Sequence, residues 1–217
     1  MGTITATNRI NTALDMLDDP SGRRWDAATF MLQAVNDGQR DIVSLRPDAN
    51  PVPATLDLVP GCFQTVPASY YTLINLVCNL GTDGLTPGRA LTRWTRAELD
   101  AVNPYWPADD PAAEARLWVY EREADPRQYL VWPPQPATGC GKLRGIFSQL
   151  PADVALGDPL IIGDEFAEPL LLFIMARAKA RDKENTVDMT MAEKMRRAYF
   201  DLLGVQDEAR RKGESAS

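Results

Sequence analysis

Histidine is absent from this chain of 217 residues. Histidine is the most usual general base, and its absence excludes Ser-His and Cys-His catalytic couples. We therefore predict that the protein is not an enzyme. The three cysteines, Cys62, Cys78 and Cys140, are widely spaced and form no C-x-x-C pair. Zinc sites need closely spaced cysteines, usually completed by histidine, so we predict neither a metal site nor a cofactor.

Long apolar runs are also missing. The longest, residues 169–176, is about half of the roughly 20 residues that a membrane-spanning helix requires. The N-terminus has no basic region followed by an apolar one, the pattern of a secretory signal. We therefore expect a soluble protein made in the cytosol, with no membrane partner.

Positive charge is in short supply. Lysine and arginine number 23 against 30 aspartates and glutamates, which gives a net charge of −7. A chain of this charge lacks the basic footprint of a protein that grips nucleic acid. It suits a surface past which DNA slides without sticking, because like charges repel. Solubility alone is the simpler explanation of the same charge.

Helical periodicity is present at both ends of the chain. Residues 3–18 and the segment from Asp26 to Pro47 carry apolar side chains at helical spacing. We expect the carboxylate of Asp26 to cap the second helix. Gly38 lies inside that helix, where a close approach of another helix is one reason to tolerate it. Helical patterns return at residues 165–181 and 189–203, where Met191, Met195, Tyr199 and Leu202 are predicted to form one apolar stripe.

The middle of the chain instead alternates with a period of two. Short strand patterns are separated by turn signals such as Pro60-Gly61, and a capping box at Thr95 and Glu98 marks one short helix. Segments 116–122 and 128–132 look like one hairpin, ended by Pro133-Pro134.

These patterns predict an α+β protein. Residues 1–50 and 160–204 would form a helical bundle from both ends of the chain. Residues 51–159 would form an inserted antiparallel β-sandwich or barrel-like domain, because strands and turns alternate at the frequency typical of those folds. Residues 205–217 are polar and charged, and are predicted to be a flexible C-terminal tail.

Few side chains stand out as candidates for binding. Tyr105 and Trp106 lie in a loop bracketed by prolines, where exposed aromatics favour a partner interface and buried ones would anchor the loop. Both readings stay open. The tail carries Arg210, Arg211 and Lys212, either as a solvated end or as a segment that folds on binding a partner.

Two charged groups have local explanations. Asp125, Pro126 and Arg127 are typical of a hairpin turn, with the Asp125 carboxylate accepting from nearby backbone. The carboxylates of Asp164, Glu165 and Glu168 would stand at the start of a helix, where negative charge is favoured without any acid–base role.

Several segments resemble the head-to-tail adaptor proteins of short-tailed bacteriophages, the tail-tubular-A-like neck proteins. The segments that carry the resemblance are Asn36-Asp37-Gly38-Gln39-Arg40, Ile42-Val43, Arg46-Pro47-Asp48-Ala49, Asn79-x-Gly81-x-Asp83-Gly84-x-x-Pro87-Gly88-Arg89, Asn103-Pro104-x-Trp106, Asp125-Pro126-Arg127 and Trp132-Pro133-Pro134. The similarity in layout extends from about Ile4 to Gly204.

The resemblance implies a structural virion protein of the phage neck, assembled in the host cytoplasm and used in genome ejection. It implies a homo-oligomeric ring, commonly a dodecamer, with the portal protein ring on the helical end and a downstream tail or nozzle protein on the β end. Genome DNA would pass through the central channel without sequence-specific binding. C-terminal extensions of such adaptors embrace the portal, which would assign that role to Arg210, Arg211 and Lys212.

Two alternatives remain. One is a monomeric β-rich module associated with the tail, for fibre attachment or carbohydrate recognition, with tryptophan and tyrosine lining a groove. The other is a histidine-free hydrolase, which predicts a pocket with two carboxyl groups roughly 5–10 Å apart.

Overall fold

The computed structural model describes residues 2–181 and 186–205. The chain divides into two compact units. A helical unit comprises Met1–Asn50 and Leu150–Ser217, and a β unit comprises Pro51–Gln149. The fold is α+β, as predicted.

The helical unit contains four α-helices among its described residues. They are α1 (Ala6–Met16), α2 (Leu32–Leu45), α4 (Ala167–Arg181) and α5 (Thr186–Leu203). Helices from both ends of the chain share one core, in which Ile10 of α1 and Leu203 of α5 are both buried. The shared core follows from the apolar faces of these helices, none of which can be buried alone.

Helix α2 carries two buried polar side chains, Asn36 and Gln39. Its N-terminal side begins with a π-helical turn at Ala27–Met31, and the Asp26 carboxylate accepts from the Thr29 amide at 2.8 Å, which confirms the predicted cap. Gly38 lies where α4 approaches α2 closely. A Cβ at this position would stand 2.6 Å from Leu170 Cδ1 and 2.8 Å from Phe173 Cδ1, both on α4.

Residues 150–163 belong to the helical unit and contain neither a helix nor a strand. Asn36 Oδ1 accepts from the Val154 amide at 2.9 Å, and Asn36 Nδ2 donates to the Val154 carbonyl at 3.2 Å. Gln39 Oε1 accepts from the Ile161 amide at 2.8 Å. Two buried amide side chains of α2 therefore satisfy the backbone of a segment more than a hundred residues later.

The strands of the β unit fall into two four-stranded sheets rather than one closed barrel. The elements are β1 (Pro51–Asp57), β2 (Gly61–Thr65), β3 (Thr72–Leu80), β4 (Pro87–Ala90), β5 (Thr92–Trp94), α3 (Arg96–Val102), β6 (Leu117–Val119), β7 (Gln128–Gln135) and β8 (Lys142–Ser148). The sheet orders are β1-β8-β3-β4 and β2-β7-β6-β5. Both sheets contribute to one core, with Leu76 and Phe147 from the first and Trp118 and Val131 from the second.

Two predictions for the strands are wrong in detail. The pair β5–β6 is parallel, so the β unit is mixed rather than wholly antiparallel. Strand β7 also continues through Pro133-Pro134 to Gln135 instead of ending before them. The prolines are tolerated because the β2–β7 register shifts between Gly61 and Phe63, and the β6 pairing ends at Trp132.

The predicted hairpin around Asp125-Pro126 is confirmed, since β6 and β7 pair antiparallel on either side of it. Of the helices in the described ranges, none combines the length and the apolar character needed to cross a membrane.

Candidate interaction surfaces

The two aromatic residues of the proline-bracketed loop have different environments. Trp106 is 1% exposed, and its Nε1 donates to Asp100 Oδ1 at 2.9 Å. This hydrogen bond is the main cause that lowers the pKa of the Asp100 carboxyl. The Arg96 guanidinium lies 4.6 Å from the Trp106 ring centroid. Trp106 therefore anchors the loop in the core, which is one of the two roles predicted for it. Tyr105, in contrast, is 79% exposed.

Helix α3 positions this loop. The predicted capping box is present, because Thr95 Oγ1 accepts from the Glu98 amide and the Glu98 carboxylate accepts from the Thr95 amide. Arg96 and Asp100 form an ion pair one turn apart on its surface. The short helix thus presents a fixed carboxylate to the indole of Trp106, which holds the following turn against the sheet.

Three exposed apolar side chains belong to this loop, to helix α3 before it, or to strand β2, which contacts Trp106. Phe63 is 51% exposed and meets the Trp106 ring edge-on, with centroids 6.2 Å apart. Val102, the last residue of α3, is 71% exposed, and Tyr105 follows three residues later. We call Phe63, Val102 and Tyr105 the loop patch. Its rigid support and apolar surface fit a contact with another protein.

A second candidate surface lies in the helical unit. A groove of about 360 Å³ runs between α4 and α5, beside Asp41 of α2. Its lining residues are Asp41, Phe173, Ala176, Arg177, Ala180, Met189, Ala192, Glu193, Arg196, Tyr199 and Phe200. The groove is mostly apolar, with two arginines whose guanidinium groups each lie 5.6 Å from a phenylalanine ring, Arg177 over Phe173 and Arg196 over Phe200.

Tyr199 closes the inner end of the groove. Its hydroxyl donates to Asp41 Oδ2 at 2.5 Å, and burial together with this carboxylate raises the pKa of the phenol. The Tyr199 hydroxyl is thus a fixed neutral donor that ties α5 to α2. It holds the shape of the groove rather than offering a reactive group.

The groove was not predicted from the sequence, whose periodicity predicts one apolar stripe of Met191, Met195, Tyr199 and Leu202. In the structure Tyr199 is buried, whereas Met191 is 45% and Leu202 55% exposed. Of these four residues only Tyr199 is fully buried, because the helix turns a neighbouring stripe, which includes Ala192 and Leu203, towards the core. Apolar residues on more than one face of α5 were the sequence signal that could have indicated an uncovered surface on this helix.

The predicted basic cluster Arg210, Arg211 and Lys212 lies outside the described residues. Its role at a partner therefore stays a prediction. The same holds for the wider tail, of which only Val205 is described. Val205 packs against the helical core, and its amide donates to the Phe200 carbonyl at 3.1 Å.

The charged groups that were assigned local roles form local bonds. Asp125 Oδ1 accepts from the Arg127 amide at 2.8 Å, which confirms the turn. Asp164 stands at the start of the helical segment leading to α4, and it also accepts from the Thr3 amide at 2.8 Å and from Thr3 Oγ1 at 2.7 Å. The Thr3 hydroxyl is the main cause that lowers the pKa of this carboxyl. Asp164 therefore links the N-terminal residues of the chain to the segment that begins α4.

The cysteines are all free. Burial raises the pKa of the Cys62 thiol above its ordinary value. Within residues 2–181 and 186–205, no group of three or more cysteine, aspartate or glutamate side chains is placed to hold a metal ion.

Comparison with known proteins identifies the family of this chain. No curated protein matches the chain. The family model described as SU10 adaptor protein matches residues 4–216, which include the whole β unit and all but the terminal residues of the helical unit. The chain therefore belongs to the SU10 adaptor protein family, and its role is that of a structural bacteriophage head-to-tail adaptor in the virion neck.

Proposed function

We propose that this protein forms a ring that joins the portal to the downstream tail protein and surrounds part of the DNA channel. The observation that carries the proposal is the adaptor-family match, which extends through both units. The helical unit binds the portal ring, and the β unit binds the next tail or nozzle protein. We also propose that the two units are two structural domains, with the chain crossing between them at 50–51 and 149–150.

The ring is a homo-oligomer, commonly a dodecamer in adaptors of the type that this sequence resembles. A closed ring requires heterologous contacts, in which one face of each copy fits the opposite face of its neighbour. The net charge of −7 supports a channel through which DNA passes without adhering, because phosphates are repelled by carboxylates. Assembly takes place in the host cytoplasm.

The tail beyond Val205 contacts the portal through Arg210, Arg211 and Lys212. A polar segment of this composition can fold on binding, with its three cations paired to acidic groups of the portal. A deletion should begin at residue 206, because Val205 belongs to the helical core. Chains lacking residues 206–217 should keep the wild-type circular dichroism spectrum and lose docking to portal rings.

Replacing the three tail cations by glutamine is the matched control for charge. It should weaken docking and make the remaining docking less sensitive to salt. If the deletion docks as well as the wild type, the tail has no part in portal binding.

The loop patch contacts the downstream tail protein. Tyr105→Ala should weaken that complex, because exposed tyrosines on rigid loops are typical binding hot spots. Leu85→Ala is the matched control, since Leu85 is 80% exposed on another loop of the β unit. Equal effects of the two substitutions on the affinity, measured by calorimetry, would remove the patch from the proposal.

Mixing the purified protein with portal rings of the same phage, followed by cryo-electron microscopy, tests the whole proposal. We expect one symmetric layer of density on the portal, formed by the helical unit. A protein that stays at its monomer mass beside intact portal rings would contradict it, and would favour the monomeric β-rich binding module.

A further inference from the structure

Helix α5 carries three parallel stripes of side chains. Successive residues of an α-helix are rotated by about 100°, so residues one position after and one position before a buried stripe lie on its two opposite flanks. The buried stripe includes Ala192, Tyr199 and Leu203. The residues next to these buried positions in the sequence therefore identify the two flanks.

The first flank forms one wall of the groove. Glu193 and Phe200 each follow a buried residue by one position, and Met189 and Arg196 lie four positions before them, on the same side of the helix. The floor contains Ala176, Ala180 and Ala192, whose small side chains let another chain approach closely. We call this surface, together with its α4 wall, the α4–α5 groove.

The second flank is apolar along its whole length. Met191, Ala198 and Leu202 each precede a buried residue by one position, and Met195 lies four positions after Met191, on the same side of the helix. Met191 and Leu202 are 45% and 55% exposed, and Met195 and Ala198 are half-buried. In the part of the chain that the structure describes, these four positions form an incompletely covered apolar ridge. We call it the α5 ridge.

We propose that the α5 ridge of one copy packs into the α4–α5 groove of the next copy. This inference rests on the proposed ring. It identifies the two faces that a heterologous contact needs, because the groove and the ridge lie on opposite flanks of one helix. No copy can place its own ridge in its own groove, so satisfying both surfaces requires neighbours on both sides.

The two surfaces agree in length and chemistry. Each extends over twelve positions of α5, from Met189 to Phe200 and from Met191 to Leu202, which is about 17 Å along the axis. Asp201, exposed beside Leu202, has the charge opposite to that of Arg196 at the groove. The protein's own tail is a poor occupant, because its apolar residues after Val205 are Ala209 and Ala216 alone.

Three glutamate substitutions test the contact. Met189→Glu places a charge in the groove, and Leu202→Glu places one on the ridge. Met16→Glu on α1 is the matched control, because Met16 is 60% exposed against 49% for Met189 and 55% for Leu202. All three positions are exposed, so each variant should keep the wild-type helical circular dichroism signal.

Assembly is measured on portal rings and, without the portal, by analytical ultracentrifugation with a short chemical cross-linker. We expect Met189→Glu and Leu202→Glu each to weaken copy-to-copy association at least about tenfold, and Met16→Glu to leave it unchanged. A mixture of the two defective variants should form a two-copy complex and stop there. The intact ridge of Met189→Glu fits the intact groove of Leu202→Glu, and the other contact is blocked.

The outcomes separate this inference from the proposed function. Wild-type protein that fails to join portal rings would overturn the proposed function. Wild-type rings on the portal, with rings of both glutamate variants equally complete, would overturn the groove-and-ridge contact and leave the adaptor function standing. A mixture that behaves as the sum of its two components would also overturn it, because it would show that the two surfaces do not meet each other.

Discussion

Replacing Asn36 by alanine should destabilise the helical unit more than its small volume suggests. Asn36 is 7% exposed, and its side chain makes two hydrogen bonds to the backbone of Val154, one as acceptor at 2.9 Å and one as donor at 3.2 Å. The substitution leaves the Val154 amide and carbonyl buried, with neither bond to Asn36. Hydrogen bonds of this kind hold the segment after Leu150 to α2. Losing the two bonds to Val154 therefore weakens the packing of the C-terminal part of the chain against the N-terminal part.

The magnitude follows from the two groups that lose their partner. A buried backbone donor or acceptor left without one costs about 1–3 kcal/mol, so the pair costs about 2–6 kcal/mol. Alanine is the better helix former, but that gain is at most about 0.7 kcal/mol. We therefore expect Asn36→Ala to lower the free energy of unfolding by about 3 kcal/mol. At a denaturant slope of about 2 kcal/mol per molar urea, the midpoint falls by about 1.5 M.

Circular dichroism at 222 nm in urea is the suitable assay. Four of the five α-helices in the described residues belong to the helical unit, so the helical signal follows that unit. Asn8→Ala is the matched control, because Asn8 is an exposed asparagine within α1. It should change the free energy of unfolding by less than about 0.5 kcal/mol. An Asn36→Ala midpoint within about 0.2 M of the control would refute the reasoning.

Three further predictions follow from single contacts. Gly38→Val should lower the free energy of unfolding by about 2 kcal/mol, because its Cβ would overlap two side chains of α4; a urea midpoint at or above wild type contradicts this. Asp83 has its pKa lowered to about 2, mainly by the Thr86 hydroxyl, so its loop is stabilised above pH 3.8 and loses that stabilisation as the pH falls through about 2. Thr86→Ala should raise that pKa towards 3.8 in a carboxyl NMR titration, and an unchanged value would exclude the hydroxyl as the cause. Asp164→Ala should speed hydrogen exchange at the Thr3 amide, which donates to that carboxylate; equal exchange rates would show that the bond does not hold the N-terminus.

Local signals in the sequence predicted local structure well. The cap at Asp26, the capping box at Thr95 and Glu98, and the turn at Asp125 are all present, because each depends on residues within a few positions of one another. For Gly38, close approach of another helix was one predicted reason, and the structure shows that approach. A glycine inside a helical pattern has few explanations other than the close approach of a second helix.

Pairing between distant residues was beyond such reasoning. The parallel partner of β5 and the continuation of β7 through two prolines depend on which strands become neighbours, which periodicity does not specify. The same is true of Trp106. It is buried in a core with Cys62 and Leu117, which lie on strands distant in the sequence, and the sequence alone left it equal with Tyr105 as an interface residue.

The sequence by itself determined the order of elements, with helices at both ends around a strand-rich middle, because hydrophobic periodicity is a local property of the chain. Only the tertiary structure decided which side of each helix is buried. On α5 the apolar residues cover more than one face, so Tyr199 takes the core while Met191 and Leu202 remain at the surface. A helix with a wide apolar surface has several ways to pack, and the choice is made by the helices against which it lies.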